Sequence, residues 1–169
     1  MLSRIWRLAK HRSTDERRHL RGLDRDALKR IEQRVAASET RHSGEIRVCI
    51  EAGLPWSYIR RNAPARERAL TLFGKLGVWD TEHNNGVLIY LMLAERRIEL
   101  VADRGVSRRV DAAEWSAIVD HMGTGLGQGD VEAAINRAID AVDTILVAHF
   151  PLAPGEANPN ELPDAPVVR

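Results

Sequence analysis

Apolar and polar residues follow two periods along the chain, and the changes between them divide it into strands and helices. Residues 86–93, Gly-Val-Leu-Ile-Tyr-Leu-Met-Leu, are an unbroken apolar run. It is too short to span a membrane and suits a strand covered on both faces. After the polar interruption Ala94, Glu95, Arg96 and Arg97, residues Ile98, Leu100 and Ala102 alternate with Glu99, Val101 and Asp103. That period of two predicts a second strand with a partly wet face, and the two strands are expected to pair as an antiparallel hairpin. An earlier strand is expected where Ile46, Val48 and Ile50 alternate with Glu45, Arg47, Cys49 and Glu51.

Helical spacing fills the intervals. Asp24 is placed to cap a helix from Arg25, with Leu28, Ile31, Val35 and Ala36 as its buried stripe and Ser43-Gly44 as its stop. Residues 53–62, with Gly53 and Pro55, read as a break in regular structure. Pro64 then opens a helix whose face is Ala65, Ala69, Leu72, Phe73 and Leu76, stopped by Gly77. Asp111 and Glu114 form a capping pair before Trp115, Ile118, Val119 and Met122. Asp130 caps a last helix with the stripe Ile135, Ile139, Val142, Ile145, Leu146 and Phe150. Between these two helices, residues 123–129 alternate glycine with other residues but have neither the spacing nor the Lys-Ser/Thr ending of a phosphate-binding loop, so an interhelical turn is expected.

Strand, helix, strand implies a right-handed crossover that leaves the first two strands parallel. The fold class read from this order is α/β: a small mixed sheet, a parallel β-α-β unit plus an antiparallel hairpin, flanked by helices. Strand direction then has a consequence for chemistry. The start of the first strand (Ser43, Gly44, Glu45), the loop entering the second (Asp80 to Asn85) and the end of the third (Asp103) are expected at one edge of the sheet.

Composition narrows the alternatives. At 169 residues, a single domain can bury about 68 to 70% of its unfolded surface without a staple. The lone cysteine, Cys49, is expected to pack rather than react, and the chain is expected to reside in the cytoplasm. A net charge of +1 argues against a nucleic-acid partner. Three divisions are expected: an arm over residues 1–21, a domain over 22–150 and a tail over 151–169. The arm carries seven Lys or Arg against two acids. Leu2, Ile5, Trp6, Leu8 and Ala9 share one side of its helix, with Arg4, Arg7, Lys10 and Arg12 around it. Such a helix over residues 1–12 would lie on an anionic membrane surface at the inner face, or dock on its own domain, a second copy or another protein partner. The tail holds five of the seven prolines and no apolar period, so it is expected to be disordered or extended and to carry no chemistry.

Glu45, Asp80, Glu82, Asn84, Asn85 and Asp103 are hard oxygen donors of the kind that Ca2+ or Mg2+ requires. The competing expectation is that Asn84-Asn85-Gly86 is only a turn into a strand, with Asp80 capping the preceding segment. His83 in the same loop is either an acid or base near neutral pH or a solvated side chain. The remaining histidines lack a zinc spacing, Ser43 has no base partner, and no catalytic nucleophile is identified.

The run Ser43-Gly44-Glu45-Ile46-Arg47-Val48, the segment Asn85-Gly86-Val87-Leu88-Ile89-Tyr90-Leu91 and Arg97-Ile98-Glu99-Leu100-Val101, in this order with helices between them, resemble the TPM domain family. That family includes thylakoid lumen proteins linked to photosystem II repair and many bacterial proteins. The resemblance covers about residues 20–150 and implies a mixed sheet between helices. For some members it implies acid phosphatase activity and calcium binding. Glu45, Asn85, Gly86, Gly105 and Asp111 match the pattern. Many members close the hairpin with Gly-aromatic-Gly-Leu-Glu, whereas this chain reads Asp103-Arg104-Gly105-Val106-Ser107, an acid in place of glycine and a serine in place of glutamate. The signal peptide and membrane anchor of many bacterial members are not seen here. Two functions follow as expectations: a binding or regulatory domain with a divalent cation at the sheet edge, or a metal-modulated phosphatase in which Arg104 and His83 meet the phosphate.

Overall fold

The structure, a computed structural model, describes residues 23–111, 113–115, 118 and 130–169. The expected arm, with Arg4, Trp6, Arg7 and Lys10, the glycine-alternating segment 123–129, and Val119 and Met122 lie outside the described residues.

The described elements run α1 (Arg25–Glu39), β1 (Glu45–Glu51), α2 (Trp56–Arg60), α3 (Ala65–Lys75), β2 (Gly86–Met92), β3 (Arg97–Ala102), α4 (Arg104–Ser107), α5 (Val131–His149) and β4 (Val167–Val168). They form a four-stranded mixed sheet in the order β3-β2-β1-β4, in which β1 is parallel to β2 and β4 while β2 and β3 are antiparallel. On one face, Ile46, Val48 and Ile50 join Val87, Ile89 and Leu91 under α1 and α5. On the other, Cys49, Leu88, Tyr90 and Met92 pack with Ala69 and Leu72 of α3. β1 and β2 are buried at all seven positions each. In β2 the reason is the apolar run itself. In β1 it is that Glu45, Arg47 and Glu51, on the face opposite the isoleucines, find partners inside the protein.

The capping residues act as their positions predict. Asp24 Oδ1 accepts from the Ala27 N–H at 2.7 Å, and Asp130 Oδ1 from the Ala133 N–H at 2.9 Å. Asp111 Oδ1 likewise accepts from the Glu114 N–H at 2.8 Å. Two stretches differ from expectation. Residues 53–62 are not wholly irregular, because Trp56–Arg60 turn once as α2 after Pro55. The proline-rich tail is extended, and it is part of the fold. Val167 and Val168 pair with Cys49 and Ile50, Leu162 is buried against the α3 side of the sheet, and Ser43 N donates to the Phe150 carbonyl at 2.9 Å where the tail begins. Lack of periodicity hid this, because the segment is held by side chains of β1 rather than by a packed face of its own.

One buried ion pair fixes α3 over β1. Arg68 Nη2 lies 2.6 Å from Glu51 Oε1, Arg68 Nε lies 3.0 Å from Oε2, and the Tyr90 hydroxyl donates to Oε2 at 2.7 Å. Burial, together with that bond, pushes the Tyr90 hydroxyl well above its ordinary range, so it stays a donor. Removing one partner would strand the other charge. Arg68→Met is therefore expected to cost about 3 to 5 kcal/mol in urea unfolding, and the pair Arg68→Met with Glu51→Leu much less than Arg68→Met alone.

Candidate functional site

The three oxygen-bearing segments meet at one sheet edge. Glu45 is opposite Gly86 in the β1–β2 ladder, Asp103 N donates to the Gly86 carbonyl at 2.9 Å, and Gly105 N donates to the Asn84 carbonyl at 2.8 Å. Glycine is required at two of these crossings by space alone. A Cβ on Gly86 would stand 2.0 Å from the Val78 carbonyl oxygen, and one on Gly105 2.5 Å from that of Asn84 and 2.7 Å from that of His83.

The loop before β2 is built by its own polar groups. Thr81 Oγ1 accepts from the Asn85 N–H at 3.0 Å, the Thr81 carbonyl accepts from the Asn84 N–H at 3.1 Å, and Asn84 takes a left-handed backbone at φ 53°. This turn sends Asn85 inward and leaves Asp80, Glu82 and His83 exposed, with Asn84 half-buried. Asn85 is fully buried, and its Nδ2 donates to the Ser43 carbonyl at 2.7 Å. Its Oδ1 has no hydrogen-bond partner among the described residues.

Asp103 caps the short helix α4, Oδ1 accepting from the Arg104 N–H at 2.6 Å. The residue is 5% exposed, and its Oδ2 is also without a partner among the described residues. Arg104 reaches across the edge, with Nη2 3.3 Å from Asn84 Oδ1 and Nε 4.0 Å from Asp103 Oδ1; its side chain is 78% exposed. Asn85 precedes Gly86 in the chain and Asp103 is bonded across from Gly86, so both residues with a leftover buried oxygen adjoin that glycine along the backbone.

Glu45 lies at the same edge, but its side chain is engaged elsewhere. Oε1 accepts from Asn158 Nδ2 at 3.1 Å and Oε2 from the Leu162 N–H at 3.0 Å. Burial raises its pKa, and the backbone donors of the tail oppose that shift. The tail also touches the loop, Glu161 Oε2 accepting from the Glu82 N–H at 2.9 Å. The tail, of which no chemistry is expected, is in contact with this edge through Asn158, Glu161 and Leu162. No local signal marks them, since each meets a residue some eighty or more positions away.

Glu39, at the end of α1, is a further acid that spacing did not reveal. Oε1 accepts from the Ile46 N–H at 2.7 Å, and burial, reinforced by the carboxylates of Glu45 and Asp164, pushes its pKa up to about 9. It lines a cleft of about 450 Å³ with Asn158, Asn160, Asp164 and Glu156. On the opposite side of α1, Ser38 Oγ donates to Asp143 Oδ1 at 2.7 Å and lies 3.0 Å from His42 Nε2. The His42 Nδ1 donates to the Gly44 carbonyl at 3.0 Å, and burial lowers the imidazole pKa. This network ties the end of α1 to α5. Among the described residues, no three or more His, Cys, Asp or Glu side chains are grouped to hold a metal ion. None of the described helices is long and apolar enough to cross a membrane.

A family model described as the TPM domain matches residues 19–145. The BA42 protein of the psychrophilic bacterium Bizionia argentinensis superposes with a TM-score of 0.75 at 24% identity, covering 87% of this chain and 95% of that one. The N-terminal domain of a P. gingivalis protein superposes with a TM-score of 0.62 at 21% identity, over 78% of this chain and 82% of its own. These likenesses show the shared fold. No curated protein sequence matches the chain.

Glu39 generates a pH prediction. Its folded-state pKa lies above the ordinary 4.5, so the stability it contributes is complete below about pH 4.5 and is lost as pH rises toward 9. Glu39→Gln keeps an acceptor for the Ile46 N–H without the charge. The stability of the variant relative to wild type is expected to grow between pH 5 and 8.5 by more than about 1.4 kcal/mol, the equivalent of one pH unit, in urea unfolding at the two values. A difference that does not change with pH would show that Glu39 ionises normally.

Proposed function

The chain belongs to the TPM domain family, and from that premise we propose that it is a binding domain with a divalent-cation site, for Ca2+ or Mg2+, at the edge formed by Asn85 and Asp103. The reading rests on one observation: Asn85 Oδ1 and Asp103 Oδ2 are buried and have no hydrogen-bond partner among the described residues. An oxygen left so costs about 1 to 3 kcal/mol, which a bound cation would offset. Both are hard donors, one a carboxylate and one an amide carbonyl, a mixture that Ca2+ accepts within a shell of six to eight oxygens. The donor set is poor in carboxylates, so the site is weak and keeps several waters. Asp80, Glu82 and Asn84 stand in the adjoining loop, the two acids exposed and Asn84 Oδ1 accepting from Arg104 Nη2.

Arg104 favours a second reading. Its exposed guanidinium beside Asp103 would meet a phosphomonoester held by the cation, with His83 in the same loop, and the domain would then act as a metal-modulated acid phosphatase. The binding reading is preferred because it asks for no nucleophile. The amino-terminal segment, with Arg4, Trp6, Arg7 and Lys10, adds contact with an anionic membrane surface or a protein partner, a part of the proposal that rests on the sequence pattern.

Ca2+ at 100 times its dissociation constant is expected to add about 2.7 kcal/mol, a rise of several degrees in the unfolding midpoint, and Asp103→Ala to abolish the rise. No rise with either cation in the unaltered protein would overturn the site. Turnover of p-nitrophenyl phosphate that vanishes with chelator and in both Asp103→Ala and Arg104→Ala would replace binding by catalysis. Flotation with vesicles containing anionic lipid is expected to carry the full chain upward, and a chain lacking residues 1–12 to remain below.

A further inference from the structure

β1 is paired with β2 along its whole length, but on its other side, among the described residues, only Cys49 and Ile50 meet ladder partners, Val167 and Val168. The segment that leads to β4 follows the remaining edge and is attached through side chains of β1. Glu45 accepts from Asn158 Nδ2 and the Leu162 N–H, and the Arg47 guanidinium donates to the carbonyls of Pro163 and Ala165. The Ala52 N–H to the Arg169 carbonyl, at 2.9 Å, and the Arg169 N–H to the Ile50 carbonyl, at 2.8 Å, complete the attachment.

The segment contributes little burial of its own. Of residues 151–169 only Leu162 is buried, at 7% exposed, in the cluster with Leu54, Leu72 and Tyr90. Its prolines offer carbonyls and no N–H, which suits a stretch that meets an arginine and forms no ladder until Val167. Stretches with few buried apolar contacts open at free energies well below that of the whole fold. β1 and β2, buried at every position, belong to the other extreme.

We propose that the outer edge of β1 is a groove for an extended peptide, filled in cis by residues 158–169, and that this strap undocks while the rest of the domain stays folded. The occupant shows what the groove selects. It is a chain running parallel to β1, with a leucine-sized side chain whose own N–H reaches Glu45, and with carbonyls one and three residues later for Arg47. Undocking bares Glu45, Arg47 and the unpaired side of β1, and it releases Glu161 from the loop at Glu82. If the cation reading holds, and only then, it also frees Glu45 as a third oxygen ligand beside Asn85 and Asp103.

Amide hydrogen exchange on the full chain in chelator tests the strap independently of any cation. The N–H groups of Leu162 and Arg169 are expected to exchange at least about 100-fold faster than those of β2, after correction for intrinsic rates. Leu162→Ala is expected to speed both tail amides further and to leave β2 unchanged. Tail and β2 amides exchanging within about threefold of one another would mean a single cooperative unit and would overturn the proposal. A protease site placed in the exposed turn 153–157 and cut after folding gives a second readout. The fragment carrying residues 158–169 is expected to be displaced by excess synthetic peptide of the same sequence and not by its Leu162→Asn version. Displacement only in denaturant would also overturn it. Repeating the exchange with Ca2+ separates the two readings. Faster tail exchange supports the freeing of Glu45, and no change removes that consequence while the strap stands.

Discussion

A strand covered on both faces cannot leave a charge unanswered, and β1 carries three. Glu45, Arg47 and Glu51 all point to the side opposite its isoleucines and all are buried. A charge taken out of water without a partner is costly, and all three are met by other parts of the chain. Glu51 takes Arg68 and Tyr90, which fixes α3 across the sheet. Arg47 takes carbonyls of Pro163 and Ala165, and Glu45 takes Asn158 and the Leu162 N–H, which bind the tail along the edge. The crossover helix and the carboxy-terminal segment are thus placed by the polar half of a strand whose apolar half builds the main core.

The candidate site holds two buried side chains that are met only in part. Close approach at Gly105 presses the start of α4 against the loop before β2, and close approach at Gly86 presses the start of β2 against Val78, with no room for a side chain at either. Beside these contacts Asn85 and Asp103 each spend one polar atom on the backbone and leave one buried oxygen over. Proteins rarely leave buried acceptors unmade, and such leftovers cluster where a ligand completes them. Glu45, across the ladder from Gly86, has both carboxylate oxygens taken by the tail. The edge therefore has an open half and a closed half, and the chain's own tail closes the second.

Local pattern was enough for β2, for the hairpin and for the helices that Asp24, Pro64 and Asp130 begin, because each signal lies within a few residues of its effect. The parallel crossover followed from element order and handedness alone. The convergence of Ser43–Glu45 neighbours, the 80–85 loop and Asp103 then followed from strand direction. The tail could not be read in this way. Five prolines and no period describe an extended segment equally well whether free or docked, and its partners sit 113 to 118 residues away in sequence. Glu39 was hidden for a similar reason, as an acid on an otherwise ordinary helix whose partner is a strand N–H seven residues on.

By itself the sequence determined which segments are strands and helices, which way they run and therefore which edge gathers the oxygens, since all of these depend on short-range period, caps and chain direction. Tertiary structure alone decided which of those oxygens are taken. That depends on packing distances between segments far apart in the chain, where Glu45 found donors in the tail while Asn85 and Asp103 each kept one acceptor unfilled.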